Sequence, residues 1–420
     1  MNDCSILVIG AGASGMAAAL SARRYFSKTA QDASVVILER NTRVGKKLLT
    51  TGNGRCNLSN INLSPENFHG KDSGFSQSIL CEKNVDWVLS FFSSLGIECV
   101  FEKDRIYPLS LHSASVLDGF RMALVENDVH LATGQNVIQI NKNKNYFITE
   151  TESGEKWRSK ALIAATGGMA APASGSNGNG YAFLEQFSHK LITPLPAIVQ
   201  LKSNENFCKS VSGIKINGRA DLFVNGKQIK QEYGEILFTD YGLSGPPILQ
   251  LSGYASRALA QKKKVDIQID FIPEKSQDDL LAFFVKRQKT YPDRTLEEFL
   301  TGFFHRRISY ALLKKAIDVK LSAKVMDLNY SDLKKLTEKC KSFPFPVTDT
   351  TGFQNAQVTA GGIDTSAFNP DSLASNLCDG LFACGEILDV DGDCGGYNLH
   401  WAWTSGYTAG KSAAGYVLEV

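Results

Sequence analysis

The chain has 420 residues, 43% of them hydrophobic and 21% charged, with a formal net charge of +2. That length predicts two or three domains with well-filled cores, and the near-neutral balance excludes a chain that binds nucleic acid through bulk charge. Nine scattered cysteines with no C-x-x-C spacing exclude a zinc ribbon, a dithiol centre and a disulfide framework, and point to free thiols in a reducing, cytoplasmic setting.

The first element is a short apolar run, Ile6 to Ile9, of the kind buried on both faces of a parallel sheet. No signal peptide is expected before it, and no run of eighteen apolar residues follows that would cross a membrane. Gly10-Ala-Gly12-Ala13-Ser14-Gly15 comes next and leads into an Ala-rich helix predicted from Met16 to about Tyr25. In this spacing Gly10 makes the tight turn, Gly12 admits a pyrophosphate to the backbone, and Gly15 lets the helix approach the sheet. The helix start then offers amides and a positive dipole end to the phosphates. A second apolar run, Val35 to Leu38, ends in Glu39-Arg40, and a carboxylate there can accept from both ribose hydroxyls of an adenosine. Strand, glycine turn, helix and acid together predict a nucleotide site.

The loop 41–60 has neither helical nor strand period. Its glycines, Gly45, Gly52 and Gly54, alternate with Lys46, Lys47, Arg55 and Asn57, a composition suited to an anionic ligand. Cys56 beside Arg55 is a candidate reactive thiol, with packing as the plain alternative. Two helices are expected between 84 and 128, separated by strand-like segments at 98–102 and 105–108. From Val129 the period becomes two. Short strands at 129–132, 136–140 (with Val137), 146–150 and 156–159 form a meander, followed by a buried parallel strand, Lys160 to Ala165, that ends in Thr166-Gly167-Gly168. A nucleotide-binding βαβ unit followed by a β-meander predicts a large FAD domain, where a nicotinamide dehydrogenase would continue with more βα units.

Beyond Ile192 alternating strands at 197–201, 220–224, 234–238 and 265–271 surround a hairpin turn at Asn225-Gly226 and a short helix opened by Ser244-Gly-Pro-Pro247. They predict a small barrel or sandwich, and helical spacing takes over from Ser276 to Cys340. Residues 191–350 hold 25 Lys+Arg against 18 Asp+Glu, net +7, which leaves net −5 for the remainder. This mildly basic insert is read as solvated helix faces rather than a nucleic-acid surface, and RNA binding stays as a second class of function.

Near the end, an apolar strand runs into Gly385-Glu386, followed by Asp389-Val-Asp-Gly-Asp-Cys-Gly395-Gly396-Tyr397-Asn398-Leu399-His400 and a helix predicted from about Asn398 to Leu418. The D-x-D-x-D run is no calcium loop, because Gly392 is displaced and no glutamate stands twelfth, so no metal is predicted. Amides bared by Gly395 and Gly396 can stabilise negative charge on the pyrimidine edge of a reduced flavin, and Glu386 can hold the ribityl or diphosphate part.

Gly10-Ala-Gly-Ala-Ser-Gly15, Gly45-Lys-Lys-Leu-Leu with Asn53-Gly-Arg-Cys-Asn57, Ala165-Thr-Gly-Gly168, Leu243-Ser-Gly-Pro-Pro247, Val358-Thr-Ala-Gly-Gly362 and Gly385-Glu with Gly395-Gly-Tyr-Asn-Leu399 together resemble the BaiN-type family of NAD(P)/FAD-dependent oxidoreductases, some of them labelled aminoacetone oxidase-like. The resemblance spans nearly the whole chain. It implies a glutathione-reductase-like α/β FAD domain of the Rossmann type in two segments (1–190 and 351–420), interrupted by a β-barrel (191–275 and 341–350) and a helical subdomain (276–340). It also implies that Gly10, Gly12, Gly15 and Glu39 hold the ADP half, that Arg55, Cys56 and Asn57 lie near the flavin, and that Glu386 with Gly395 to Leu399 flanks the ribityl chain and ring. His400 stands where many relatives are expected to carry Gln. The reaction so predicted is hydride transfer through flavin N5 on a small organic substrate, an unsaturated or carbonyl compound, with NAD(P)H binding transiently. An amine or alcohol oxidase using oxygen is the alternative. Tyr397, His400, Cys56 and Tyr241 are the candidate proton donors.

Overall fold

The computed structural model describes residues 1–420 and separates them into two compact units, 1–196 with 353–420 and 197–352. In the first unit four parallel strands lie side by side in the order His130–Thr133, Val35–Glu39, Asn2–Ile9 and Lys156–Ala164. Ile6, Leu7, Val8 and Ile37 are fully buried, as strands covered on both faces must be. Lys156–Ala164 then changes partner along its length. Its first half pairs antiparallel with Tyr146–Thr151, and its second half pairs parallel with Leu381–Ala383.

Two strand expectations change here. The segment after Val129 leaves the meander and joins the parallel edge beside Val35–Glu39, because the helix Ser113–Glu126 carries the chain over to that edge. The strands expected at 156–159 and 160–165 are one, since an alternating burial pattern simply turns continuous where parallel neighbours flank it on both sides.

The C-terminal helix, Tyr397–Glu419, lies against the first helix, Ala13–Lys28. Its glycines set the distance. A Cβ on Gly406 would sit 2.2 Å from the Ser14 carbonyl oxygen, and one on Gly410 would sit 2.0 Å from that of Ala18. Ser21 Oγ donates to the Tyr407 carbonyl at 2.7 Å in the gap this leaves. Trp401 and Trp403 anchor the other face, each indole N–H donating to a backbone carbonyl, Gly385 and Leu58 respectively. The two ends of the chain therefore build one layer over the nucleotide turn.

The second unit contains a closed six-stranded barrel in the order Leu201–Ser203, Gly242–Ser244, Lys227–Thr239, Lys215–Val224, Val265–Asp270 and Phe343–Thr350. Asn225 and Gly226 make the expected hairpin, both with positive φ (50° and 81°). The strand expected at 197–201 straddles a break, with Leu191–Ala197 ending before it and the barrel beginning at Leu201. The short helix at 244–247 is in fact Pro246–Ala260, fifteen residues whose Ile248, Leu251 and Ala255 enter the barrel core. Helices within 277–341 add Leu280, Phe284, Leu312 and Leu336 to that same core. No helix is long and apolar enough to cross a membrane.

Candidate flavin site

Each glycine of the opening turn does a different job. Gly10 has φ +102°, and its missing side chain leaves room for the Ala165 carbonyl oxygen, 2.5 Å from where a Cβ would be. At Gly15 a Cβ would stand 1.9 Å from the Gly10 carbonyl oxygen, so only glycine lets the helix start this close to the strand. Around Gly12 a Cβ would meet nothing within 4 Å, and its backbone is extended, φ −80° and ψ −172°. Its missing side chain therefore serves the open space above the turn. Ala13 and Ser14 form the first turn of the helix there, and Ser14 Oγ lies 2.4 Å from the position of a Cβ on Gly385.

Glu39, at the end of its strand and buried, is held at the mouth of this turn. Its Oε2 accepts from the Ala11 amide at 2.8 Å, and its Oε1 accepts from the Asn41 amide and side chain, both at 2.8 Å. Arg40 beside it donates to the Gly175 carbonyl. The loop that follows docks on the same turn, the Gly45 amide donating to the Ala11 carbonyl at 3.0 Å. Lys46 is exposed. Lys47 reaches back to Glu386, Nζ to Oε2 at 2.6 Å, while Oε1 of Glu386 accepts from the Thr359 amide at 2.7 Å. Thr359 Oγ1 in turn accepts from the amides of Met169 and Ala170, just past Gly167 and Gly168. The 45–57 loop, the Thr166-Gly-Gly segment, the 358–363 strand and Gly385-Glu386 are thus tied to one place, and Thr359, inside the Val358-Thr-Ala-Gly-Gly362 motif, is the tie.

At the other end, Gly395 and Gly396 (φ +138° and +106°) open the C-terminal helix. A Cβ on Gly396 would lie 2.5 Å from the Ser59 carbonyl oxygen and 2.8 Å from Asn57 Oδ1. Asn60 Nδ2 donates to the Gly395 carbonyl at 3.0 Å. The first amides of a helix, here at Tyr397, Asn398 and Leu399, have no intrahelical acceptor. Asn57 Oδ1 beside them is buried with no hydrogen-bond partner, and so is Thr166 Oγ1. A buried acceptor left unpaired costs about 1–3 kcal/mol, which a donor on a bound ligand would offset. A flavin pyrimidine edge would offer an N–H to Asn57 and carbonyls to the helix amides, so the residues present fit FAD.

Other expected contacts fall differently. Val137 is buried in the meander strand opposite Thr151. Gly54 has φ +82° and turns the loop ahead of Arg55. Arg55 pairs with Glu102 and stacks on the Tyr107 ring at 4.3 Å, so it does not act on its neighbour Cys56. Asp389 Oδ2 accepts from the Lys71 amide at 2.8 Å.

Three of the four candidate proton donors are buried. Cys56 is fully buried, and burial pushes its thiol up to about 12, against the thiolate expected from Arg55. The Tyr397 phenol is likewise pushed up to about 12, by burial first and then by Asp393 and Asp104. His400 is fully buried and neutral, burial pushing it down to about 4. Its Nε2–H donates to the Lys83 carbonyl at 2.8 Å, and its Nδ1, 2.8 Å from Ser59 Oγ, accepts from that hydroxyl. It is a peg between three segments. Tyr241 lies in the second unit, exposed in the turn between Thr239 and Gly242. The sequence reading overlooks His69, whose Nε2 lies 2.9 Å from Asp393 Oδ1, because it sits in an irregular stretch with no motif around it.

A parallel sheet with a glycine turn at its first strand and an acid at its second, joined by a glycine-opened helix packed on the helix after that turn, is the frame of an FAD-dependent oxidoreductase. The chain belongs to the HI0933-like Rossmann-domain family, whose profile matches residues 4–412. This agrees with the BaiN-type resemblance carried by its loops. It is 37% identical to the 3-dehydro-bile acid delta(4,6)-reductase of Clostridium scindens, covering 97% of this chain and 98% of that one. It is 26% identical to the ribosomal RNA dihydrouridine synthase of Haemophilus influenzae, covering 97% of both, and 25% identical to that of Escherichia coli, covering 98% of both. Among solved structures, the 3-ketosteroid-delta4-(5alpha)-dehydrogenase of Rhodococcus jostii RHA1 shares the fold with a TM-score of 0.50 at 16% identity, over 98% of this chain and 97% of its own.

Proposed function

We propose that this flavoprotein reduces a carbon–carbon double bond conjugated to a carbonyl in a small ring compound, with NAD(P)H as electron source. The observation that carries the reading is the 37% identity, over nearly the full length of both chains, to a protein named as a delta(4,6)-reductase. Dihydrouridine, in the names of the two more distant relatives, is also a ring whose double bond next to a carbonyl has been saturated. FAD, when bound, supplies hydride transfer through N5 and stores the two electrons between half-reactions. The chain's part is to hold and tune. Glu39 and the glycine turn fix the ADP half, Asn57 sets the ring edge, and the amides at 397–399 stabilise negative charge there. The Lys47–Glu386 pair stiffens the loop between these two ends.

Anaerobic holoprotein mixed with NADH or NADPH should lose its visible flavin absorbance, and a 3-keto-4-ene steroid added next should restore it and leave as a product two hydrogens heavier. Flavin that stays oxidised with both nucleotides would remove NAD(P)H from the proposal.

A second reading is supported by charge. Residues 197–352 hold 25 Lys+Arg and 18 Asp+Glu, net +7, and the remainder of the chain is net −5. An RNA uracil would then be the ring that is reduced. Binding to purified ribosomal RNA that weakens steeply between 50 mM and 200 mM salt would favour this reading, and no binding at the lower salt would dismiss it.

A further inference from the structure

The helix Gln277–Thr290 buries one face and leaves another open. Leu280 and Phe284, one turn apart, are fully buried in the core of the second unit. Asp278, Leu281, Val285, Lys286 and Lys289 recur three and four residues apart on a different stripe, and they line an open groove of 580 Å³. Tyr330, the first residue of the helix Tyr330–Lys341, lines the same groove.

The two helices are fixed to each other where the groove lies. Gln288 Nε2 donates to the carbonyls of Val325 and Leu328, at 3.1 and 2.6 Å, which ties the first helix to the segment leading into Tyr330. Asn329 and Asp332 close a capping box around Tyr330. Asn329 Oδ1 accepts from the Asp332 amide at 3.0 Å, and Asp332 Oδ2 accepts from the Asn329 amide at 3.1 Å. A groove held in this way exists before anything binds it.

Its lining is chemically mixed. Leu281 and Val285 are half-buried and give an aliphatic floor. Tyr330 keeps 65% of its surface exposed, so its ring face is open to a partner. Lys324, on the tied segment, is paired with Asp293 at 3.0 Å, whereas Lys286 and Lys289 are exposed and pair with no carboxylate. Asp278, two turns before Lys286, is the one carboxylate among the lining residues. A nucleic-acid strand uses all of these parts, its bases stacking on an aromatic ring and its phosphates meeting cations. An acidic peptide would use the ammoniums and leave the ring idle. The unit, with 25 Lys+Arg against 18 Asp+Glu, is net +7, a field that favours a polyanion.

We propose that this groove is a dock for single-stranded RNA, with a base stacked on Tyr330 and backbone phosphates on Lys286 and Lys289. It rests on the second reading above, in which a uracil of RNA is the ring reduced, and it adds the surface that holds the strand.

The test is fluorescence anisotropy of a labelled single-stranded oligouridine mixed with the whole FAD-loaded protein. The parent should bind at low salt and weaken as salt rises. Tyr330→Ala should weaken binding by about fivefold or more, and Tyr330→Phe, which keeps the ring, should stay within about twofold of the parent. Lys286→Gln combined with Lys289→Gln should lower the slope of log K against log salt by about 1.4, from ~0.7 for each phosphate contact of a single strand. Lys262→Gln combined with Lys263→Gln removes the same charge from an exposed turn and should leave that slope within about 0.3 of the parent's. All five side chains are exposed, so every variant should melt with the parent.

A parent that binds no oligouridine would remove the RNA reading and the dock together. Binding that Tyr330→Ala and the Lys286 and Lys289 substitutions leave unchanged would keep RNA as a partner and overturn the groove as its site. An equal loss of slope in the Lys262 and Lys263 variant would also overturn it, by showing bulk charge at work. Displacement of the probe by polyglutamate as readily as by unlabelled oligouridine would show a site that reads charge alone, which is not the site proposed.

Discussion

Gly15→Ala is expected to give a protein that is both less stable and unable to retain FAD. The added Cβ would lie 1.9 Å from the Gly10 carbonyl oxygen, a backbone atom that no rotamer change can move aside. Relief requires the first helix to back away from the sheet. That helix is clamped from behind, where Gly385, Gly406 and Gly410 bring backbone against Ser14 and Ala18. Overpacking a rigid core costs about 1–3 kcal/mol and sometimes more, and this site is at the upper end because both layers are fixed. The displaced turn would also carry its phosphate-facing amides out of register. Gly12→Ala is the control. Its Cβ meets no protein atom within 4 Å and its φ is −80°, so the apoprotein should melt within a degree or two of the parent while FAD is still lost, the methyl taking the open space above the turn. Thermal melting of the apoproteins and the flavin-to-protein absorbance ratio separate the two effects. A Gly15→Ala protein as stable and as yellow as the parent would sink this account of the turn.

The second large effect is on pH. In the unfolded chain the His400 imidazole has its ordinary value of 6.5, and in the fold it is pushed down to about 4 by burial. Between those values the unfolded state binds a proton that the folded state refuses, so stability falls as pH drops below 6.5 and the loss is complete near pH 4. Above pH 7 the group contributes no slope. The size is roughly 3 kcal/mol, from a shift of that width at 1.36 kcal/mol per pH unit. His400→Gln can still donate to the Lys83 carbonyl and accept from Ser59, and it cannot titrate. Denaturant unfolding followed by the fluorescence of the buried Trp401 and Trp403 should show the parent losing about 3 kcal/mol more than His400→Gln between pH 7 and pH 4. Parallel curves for the two proteins would show that the imidazole is not held neutral.

These two residues also mark where sequence reasoning succeeded and stopped. Gly15 was legible because its requirement is local: strand, turn and helix follow within a few residues, and the spacing of glycines states the geometry. His400 stands in an equally plain motif, yet its position after Gly395-Gly396 says nothing of Ser59 and Lys83, the groups that claim its nitrogens. Arg55 was read against its neighbour Cys56, when its partner is Glu102 in another strand.

By itself the sequence determined the nucleotide turn, the acid at the second strand end, the flavin class and the glycine-opened last helix, since each is written in backbone freedom or periodicity over a short span. The tertiary structure alone decided that the helices of 277–341 complete the barrel core, that Thr359 ties three glycine segments together, and that His69 meets Asp393 across 324 residues. Contacts of that kind depend on which surfaces the packed layers bring face to face, and no local pattern of residues encodes them.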